Sequence, residues 1–278
     1  MSASTRQSTT VDYVEEYAAA AEQFAVAVAW ADLRAPVVSC PGWSTYDLVV
    51  HLGNVHAWAA TIVETGQAAA AQNDEPSSEK PRTVSEWYAG KAEDLYEVLR
   101  STPPDTACWN FAFGTGDAGF WHRRQLHETN VHQIDLDLVT ERQSALAPDI
   151  CADGVGEVLD VFLHRMHQRG HPARLDGPVA LAATDTGDTW VVRPADESSP
   201  SDTIVPAQPQ GTTEESVPSR PPVVEHRRTL AWFPDRVEAT AEVLYRVLWK
   251  RLPYDDAGVR IVGDRARVEA FLGSRLAP

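Results

Sequence analysis

Cysteine is scarce in this 278-residue chain: Cys40, Cys108 and Cys151 stand far apart and odd in number. That excludes a disulfide framework and a Cys-based zinc knuckle, and it reads as reduced thiols in a cytoplasmic protein. Basic residues are also short, with 24 Lys and Arg against 40 Asp and Glu, for a formal net charge of −16. Phosphate backbones and anionic lipid repel such a surface, so neither nucleic acid nor membrane is an expected partner. No apolar run reaches about 18 residues, so no transmembrane helix is expected. The opening MSASTRQSTTVDYVEEY lacks the basic-then-apolar order of a signal peptide. What is present is a 43% apolar content with nine Trp, enough for one large domain or two modest ones.

The first part of the chain has helical texture. Val11 to Leu33 is Ala-rich with apolar residues at helical spacing, and Thr9 or Thr10 is in place to cap it. SCPGW breaks the chain, and Ser44 or Thr45 opens a second helix reaching to about Ala71. Its residues Leu48, His51, Val55, Trp58 and Ile62 form one apolar stripe with a histidine inside it. A third helix opens at Thr83 or Ser85 and ends near Arg100. Trp109 to Gly119 is a Gly-containing loop. A fourth helix spans about Phe120 to Arg142 and a fifth Pro148 to His167. The texture then changes. Pro178–Ala183, Thr189–Arg193, Val223–Trp232 and Val259–Val262 read as strands, Val237–Leu252 and Arg265–Leu272 as helices, with an extended start over VEATAEV as the alternative for the first of these two. Residues 196–222 are Ser/Pro/Thr/Glu-rich and predict a disordered insertion. The fold class is therefore α+β: a helical domain over 1–172 and a small α/β domain over 173–278.

HETNVH, His127 to His132, is the most informative stretch. It imitates the HExxH zinc signature, but its histidines are five residues apart, about 140° around a helix, and cannot share an ion. Glu128 and His132, at i and i+4, can. His51, inward on the second helix, is the best third partner. Two imidazoles and a carboxylate with a fourth position open is the donor set of a catalytic zinc site, since closed structural sites mostly use cysteine.

PGWSTYDLVVHLGNVHAWA (Pro41 to Ala59), followed by RRQLHETNVHQID (Arg123 to Asp135), resembles the mycothiol-dependent maleylpyruvate isomerase family, itself similar to the wider DinB-like metalloenzyme superfamily. AEVLYRVLWKRL (Ala241 to Leu252) and VGDRARVEAFL (Val262 to Leu272) resemble the small α/β domain that comes next in those enzymes. The resemblance implies a four-helix bundle holding a divalent metal, usually Zn2+, through His51, Glu128 and His132. It implies mycothiol as thiol cosubstrate, and an isomerase or S-transferase whose metal-held thiolate attacks an electrophilic, unsaturated carboxylate. It implies an anion-binding arginine in the second domain: Arg251 is the nearest match and Arg246 the weaker one. Asp135 matches the acidic position ending the family motif and is in place to orient His132. Gln133 stands where the family would place an arginine.

Plainer accounts exist for each residue. Glu128 with His132 is also an ordinary i,i+4 surface pair, with Leu126, Val131, Ile134 and Leu138 as the packed side. His51 alone is more simply a hydrogen-bonded core histidine. His56 shares a face with Val49, Leu52 and Val63, and His127 is a neighbour of the site. His164, His167 and His171 read as solvated histidines complementing a helix C-terminus, and Cys40 as a small buried residue. As a whole the chain also fits a non-enzymatic, metal- or ligand-binding DinB-like stress protein, or a metal hydrolase lacking an evident general base. A monomer and a homodimer are both compatible with the acidic surface.

Overall fold

The computed structural model describes residues 11–195, 221–228 and 233–278. Four helices form a bundle: α1 (Tyr13–Val28), α2 (Thr45–Thr65), α3 (Pro81–Ser101) and α4 (Gly119–Thr140). Each packs against two others, α1 on α3 and α4, α2 on α3 and α4. The apolar spacing that predicts them also faces their core, where Tyr17, Phe24, Leu52, Ile62, Tyr88 and Leu95 are completely buried. The caps differ from expectation in detail. Asp12 caps α1, accepting from the Glu15 amide; Thr9 and Thr10 lie outside the described residues. Pro81 opens α3, where its missing N–H costs nothing. Helix α2 stops at Gly66, short of Ala71, because that glycine adopts a left-handed φ of 69° that terminates the helix. The predicted Trp109–Gly119 loop is a hairpin of β1 (Ala107–Asn110) and β2 (Gly114–Asp117).

The remainder builds a mixed five-stranded sheet, order β5-β4-β3-β6-β7. Its strands are β3 (Val179–Ala183), β4 (Thr189–Arg193), β5 (Val223–Arg227), β6 (Arg236–Ala239) and β7 (Arg260–Val262). Only β3 and β6 run parallel; the other neighbours are antiparallel. Helices α7 (Ala241–Leu248) and α8 (Arg265–Leu272) cover this sheet. Val237 therefore belongs to a strand and not a helix: Arg236 to Ala239 alternates in burial and pairs with β3. Of the polar 196–222 segment, only Pro221 and Pro222 fall among the described residues.

The fifth predicted helix is three pieces: α5 (Pro148–Glu157), a π-helical turn Val158–Phe162, and α6 (Leu163–Gln168). Its residues Cys151, Val155, Val158 and Phe162 join the same apolar core as the sheet. Helix α4 lies between the two cores. Leu126 and Leu136 enter the bundle core, whereas Val131 and Ile134 enter the sheet-side core. A helix covered on every side need not be amphipathic, which is why α4 buries Arg124, Gln125, Asp135 and Asp137. Leu138, expected on its packed side, is 46% exposed.

Candidate metal centre

Helix α2 brings His51 to the site. Its first turn is fixed by a reciprocal cap: the Asp47 amide donates to Ser44 Oγ, and the Ser44 amide donates to the Asp47 carboxylate. From that start His51, Val55 and Trp58 of the predicted stripe line the cavity, while its ends, Leu48 and Ile62, are completely buried in the bundle core. Val49, Leu52, His56 and Val63 are also packed inward. His56 is accordingly a core histidine, bonded to Gln125 and to the Tyr88 hydroxyl. Burial holds its pKa down at about 4, so it stays neutral.

His51, Glu128 and His132 meet. Their donor atoms all lie within 4.8 Å of one another. Glu128 Oε1 is 3.5 Å from His51 Nε2 and 3.4 Å from His132 Nε2. Two donors each about 2.1 Å from a tetrahedral zinc stand about 3.4 Å apart, and the two distances from Glu128 to the histidines match that spacing. The surface-pair account of Glu128 and His132 does not hold, because both are mostly covered, at 19% and 9% side-chain exposure.

The chain around the triad orients it. His132 Nδ1 donates to Asp135 Oδ2 at 2.9 Å, which leaves Nε2 as the free lone pair. Arg124 grips Glu128 Oε2 on one side and buried Glu157 on the other, leaving Glu128 Oε1 toward the histidines. Burial pushes Glu128 up, but Arg124 and hydrogen bonds from His132 and His51 outweigh it and hold the carboxyl well below its ordinary range. Burial pushes His132 down, and its bonds to Asp135 and Glu128 reverse this, lifting it to about 9. Trp43 places its ring 4.7 Å from that of His51.

Arg251 arrives from the sheet half. Lys250 takes a left-handed φ of 62° just after α7, turning Arg251 back toward α4. Its Nε and Nη2 donate to the two Asp135 oxygens at 2.7 Å each, and Nη1 donates to the Trp249 carbonyl. The bidentate fork expected to grip a substrate or cofactor anion is thus already on Asp135. Asp135 is completely buried; burial raises its pKa, but Arg251 and His132 prevail and lower it. Ser39 Oγ completes its shell at 2.5 Å. Arg246 is not brought to the site. It pairs with Glu242 on its own helix.

The triad opens on a cavity of about 450 Å³ with aromatic walls that include Trp43, Trp58, Phe111, Phe162 and Trp249. Cys40 also lines it, half-buried, with Sγ 3.6 Å from Asp135. Burial first and then the Asp135 charge push its thiol up to about 11, so it is not a thiolate at neutral pH. A larger void of about 700 Å³ near His122 holds none of the three donors. His127 bonds Asp153 and takes no part. His164, bonded to the Pro222 carbonyl, is only partly exposed and His167 is buried, so neither is the solvated histidine expected. Gln133, buried, bonds Asp137. Among the described residues, the other set of three such side chains close enough to share an ion is Cys40, His132 and Asp135. Sequence reasoning missed Cys40, Arg165 and Arg169 in the cavity; only the i,i+4 spacing of Arg124 to Glu128 offered a signal of its kind.

A helical bundle with two imidazoles and a carboxylate converging beside a cavity defines a candidate mononuclear cation-site protein. Residues 14–137 match the family model described as mycothiol maleylpyruvate isomerase N-terminal domain. No curated protein matches the chain. Among solved structures, the mycothiol-dependent maleylpyruvate isomerase is similar over 90% of this chain and 91% of its own, with a TM-score of 0.56 and 10% identity. A histidine-to-alanine mutant under the same name is similar over 85% and 87%, with a TM-score of 0.53 and 9% identity. At such identity the likeness establishes the shared fold. Among the described residues no helix is long and apolar enough to cross a membrane.

Proposed function

We propose that this chain is a divalent-metal-dependent, low-molecular-weight-thiol-dependent isomerase or S-transferase, with mycothiol as the thiol and an unsaturated, electrophilic carboxylate as acceptor. The observation that carries this reading is the convergence of the His51, Glu128 and His132 donor atoms within 4.8 Å of one another at the wall of a cavity large enough for reactants. A mixed nitrogen and oxygen donor set of three suits Zn2+ and leaves room for a reactant, where a binding protein would close the site with a fourth ligand. A divalent cation held there supplies the Lewis acidity that ionises a thiol near neutral pH, worth up to about 30-fold over a free thiol of pKa about 8.5 at pH 7.

The protein's own groups do the rest. Asp135 holds His132 in one tautomer, and Arg251 holds Asp135 ionised. Arg124 fixes the rotamer of Glu128. Cys40, protonated, does not compete as a nucleophile. Its reduced state, with Cys108 and Cys151 also unpaired, supports a cytoplasmic location.

The test is thiol-dependent turnover of maleylpyruvate-like acceptors by the purified chain, before and after chelation, with elemental analysis. Chelation and His51→Ala should each abolish turnover, and zinc should restore only the former. Undiminished turnover in both would remove this reading.

A further inference from the structure

Four arginines line the cavity: Arg124, Arg165, Arg169 and Arg251. Two are committed. Arg124 is shared between Glu128 and Glu157, and Arg251 is clamped on Asp135. Arg165 and Arg169 are different. Neither forms an ion pair with any described residue, although the sequence holds 40 acidic residues for 24 basic ones. A shortage of carboxylates does not explain that.

Their placement comes from the π-helical turn Val158–Phe162. That turn spends an extra residue and rotates the next turns relative to a regular helix. Phe162, Arg165 and Arg169 then fall at i, i+3 and i+7, and all three line the cavity. Arg165 is held rather than floppy. Its Nη1 donates to the Phe111 carbonyl at 2.7 Å, and its guanidinium lies 4.6 Å from the Phe111 ring centroid. Nε and Nη2 keep their hydrogens free of any described partner. Burial, and then the charge of Arg169, lower the Arg165 pKa. Two guanidiniums that disfavour one another, one of them half-buried, are relieved by an anion between them. Complementing the C-terminal dipole of α6 would call for cations in solvent, whereas Arg165 turns into an aromatic-walled void.

We propose that Arg165 and Arg169 are the substrate-carboxylate site of this cavity, binding the acid group of the electrophilic acceptor while Arg251 serves Asp135 and His132. This rests on the functional reading above and refines it. The acceptor is a small carboxylate whose reactive carbon and acid group both fit a void roughly 10 Å across. A planar guanidinium pair selects a carboxylate by bidentate hydrogen bonds.

The experiment is titration of maleate, and of its neutral dimethyl ester, into the full-length chain with and without zinc, read by intrinsic tryptophan fluorescence from the cavity walls. Arg169 is exposed, so Arg169→Glu tests the charge without threatening the fold; Arg165→Gln and the double Lys variant accompany it. The expected result is that maleate binding weakens about tenfold or more in Arg169→Glu and Arg165→Gln. The double Lys variant keeps the charge but loses the planar fork, so maleate binding should weaken there too, though less than in Arg169→Glu, and the ester should be indifferent to all three. In turnover, KM for a carboxylate acceptor should rise while kcat changes little. Equal maleate affinity in wild type and Arg169→Glu, or wild-type protein binding maleate no better than the ester, would overturn the assignment. If chelation leaves turnover intact while maleate still depends on the two arginines, the metal reading falls and this one stands. If chelation abolishes turnover while maleate ignores the arginines, this one falls alone.

Discussion

Metal affinity should be strongly pH-dependent, and the reason is His132. In the metal-free protein its bonds to Asp135 and Glu128 outweigh burial and lift its pKa to about 9. An imidazole gives its lone pair to a cation only when neutral. At pH 7 each binding event must therefore expel a proton held about two pH units too tightly. At about 1.36 kcal/mol per unit this costs about 2.7 kcal/mol, or roughly 100-fold in affinity between pH 9 and pH 7. A zinc titration against a competing chelator at pH 7, 8 and 9 should show affinity falling about tenfold per unit as pH drops. Close to one proton should be released per ion at pH 7. Asp135→Asn removes a hydrogen-bonded anion from His132 and should flatten the slope. The metal-free fold has the opposite dependence. The folded pKa lies above the unfolded histidine value of about 6.5, so this contribution is full below about 6.5 and is lost as pH rises through about 9. Melting temperature of the metal-free protein should thus decline over that window. Zinc affinity that stays flat from pH 7 to 9 would show that no proton on His132 opposes the metal.

Two further outcomes depend on single side chains. Asp135→Ala strands Arg251, whose side chain is only 9% exposed, beside an unanchored His132; denaturant unfolding should show a loss of about 3–5 kcal/mol, the usual cost of breaking a buried ion pair from one side. Cys40→Ser should keep turnover within a few-fold, and wild-type Cys40 should alkylate slowly at pH 8, since its thiol sits up near about 11; rapid, activity-abolishing alkylation would contradict a protonated, non-nucleophilic Cys40.

Local periodicity made much of this molecule legible. Glu128 and His132 share a face because a helix turns about 100° per residue, and the inward stripe of α2 pointed to His51. Apolar spacing likewise announced the bundle helices and the short strands, within the error of caps such as Gly66. What local spacing could not disclose was the burial of a polar arc. Arg124, Glu128, His132 and Asp135 look solvated on α4 until the sheet half is laid over it. Nor could it disclose the π turn that aims Arg165, since one additional residue per turn leaves no mark in composition.

The order of residues was enough to say which side chains share a helical face, because backbone geometry within a helix is the same wherever the helix lies. Which face meets which was left to the packing of the whole chain. That packing put Arg251 on Asp135 across 116 positions of chain, left Arg165 and Arg169 without a carboxylate among the described residues, and opened the cavity between them and the triad. Those pairings depend on how two separate cores press on one central helix, a contact that no single segment encodes.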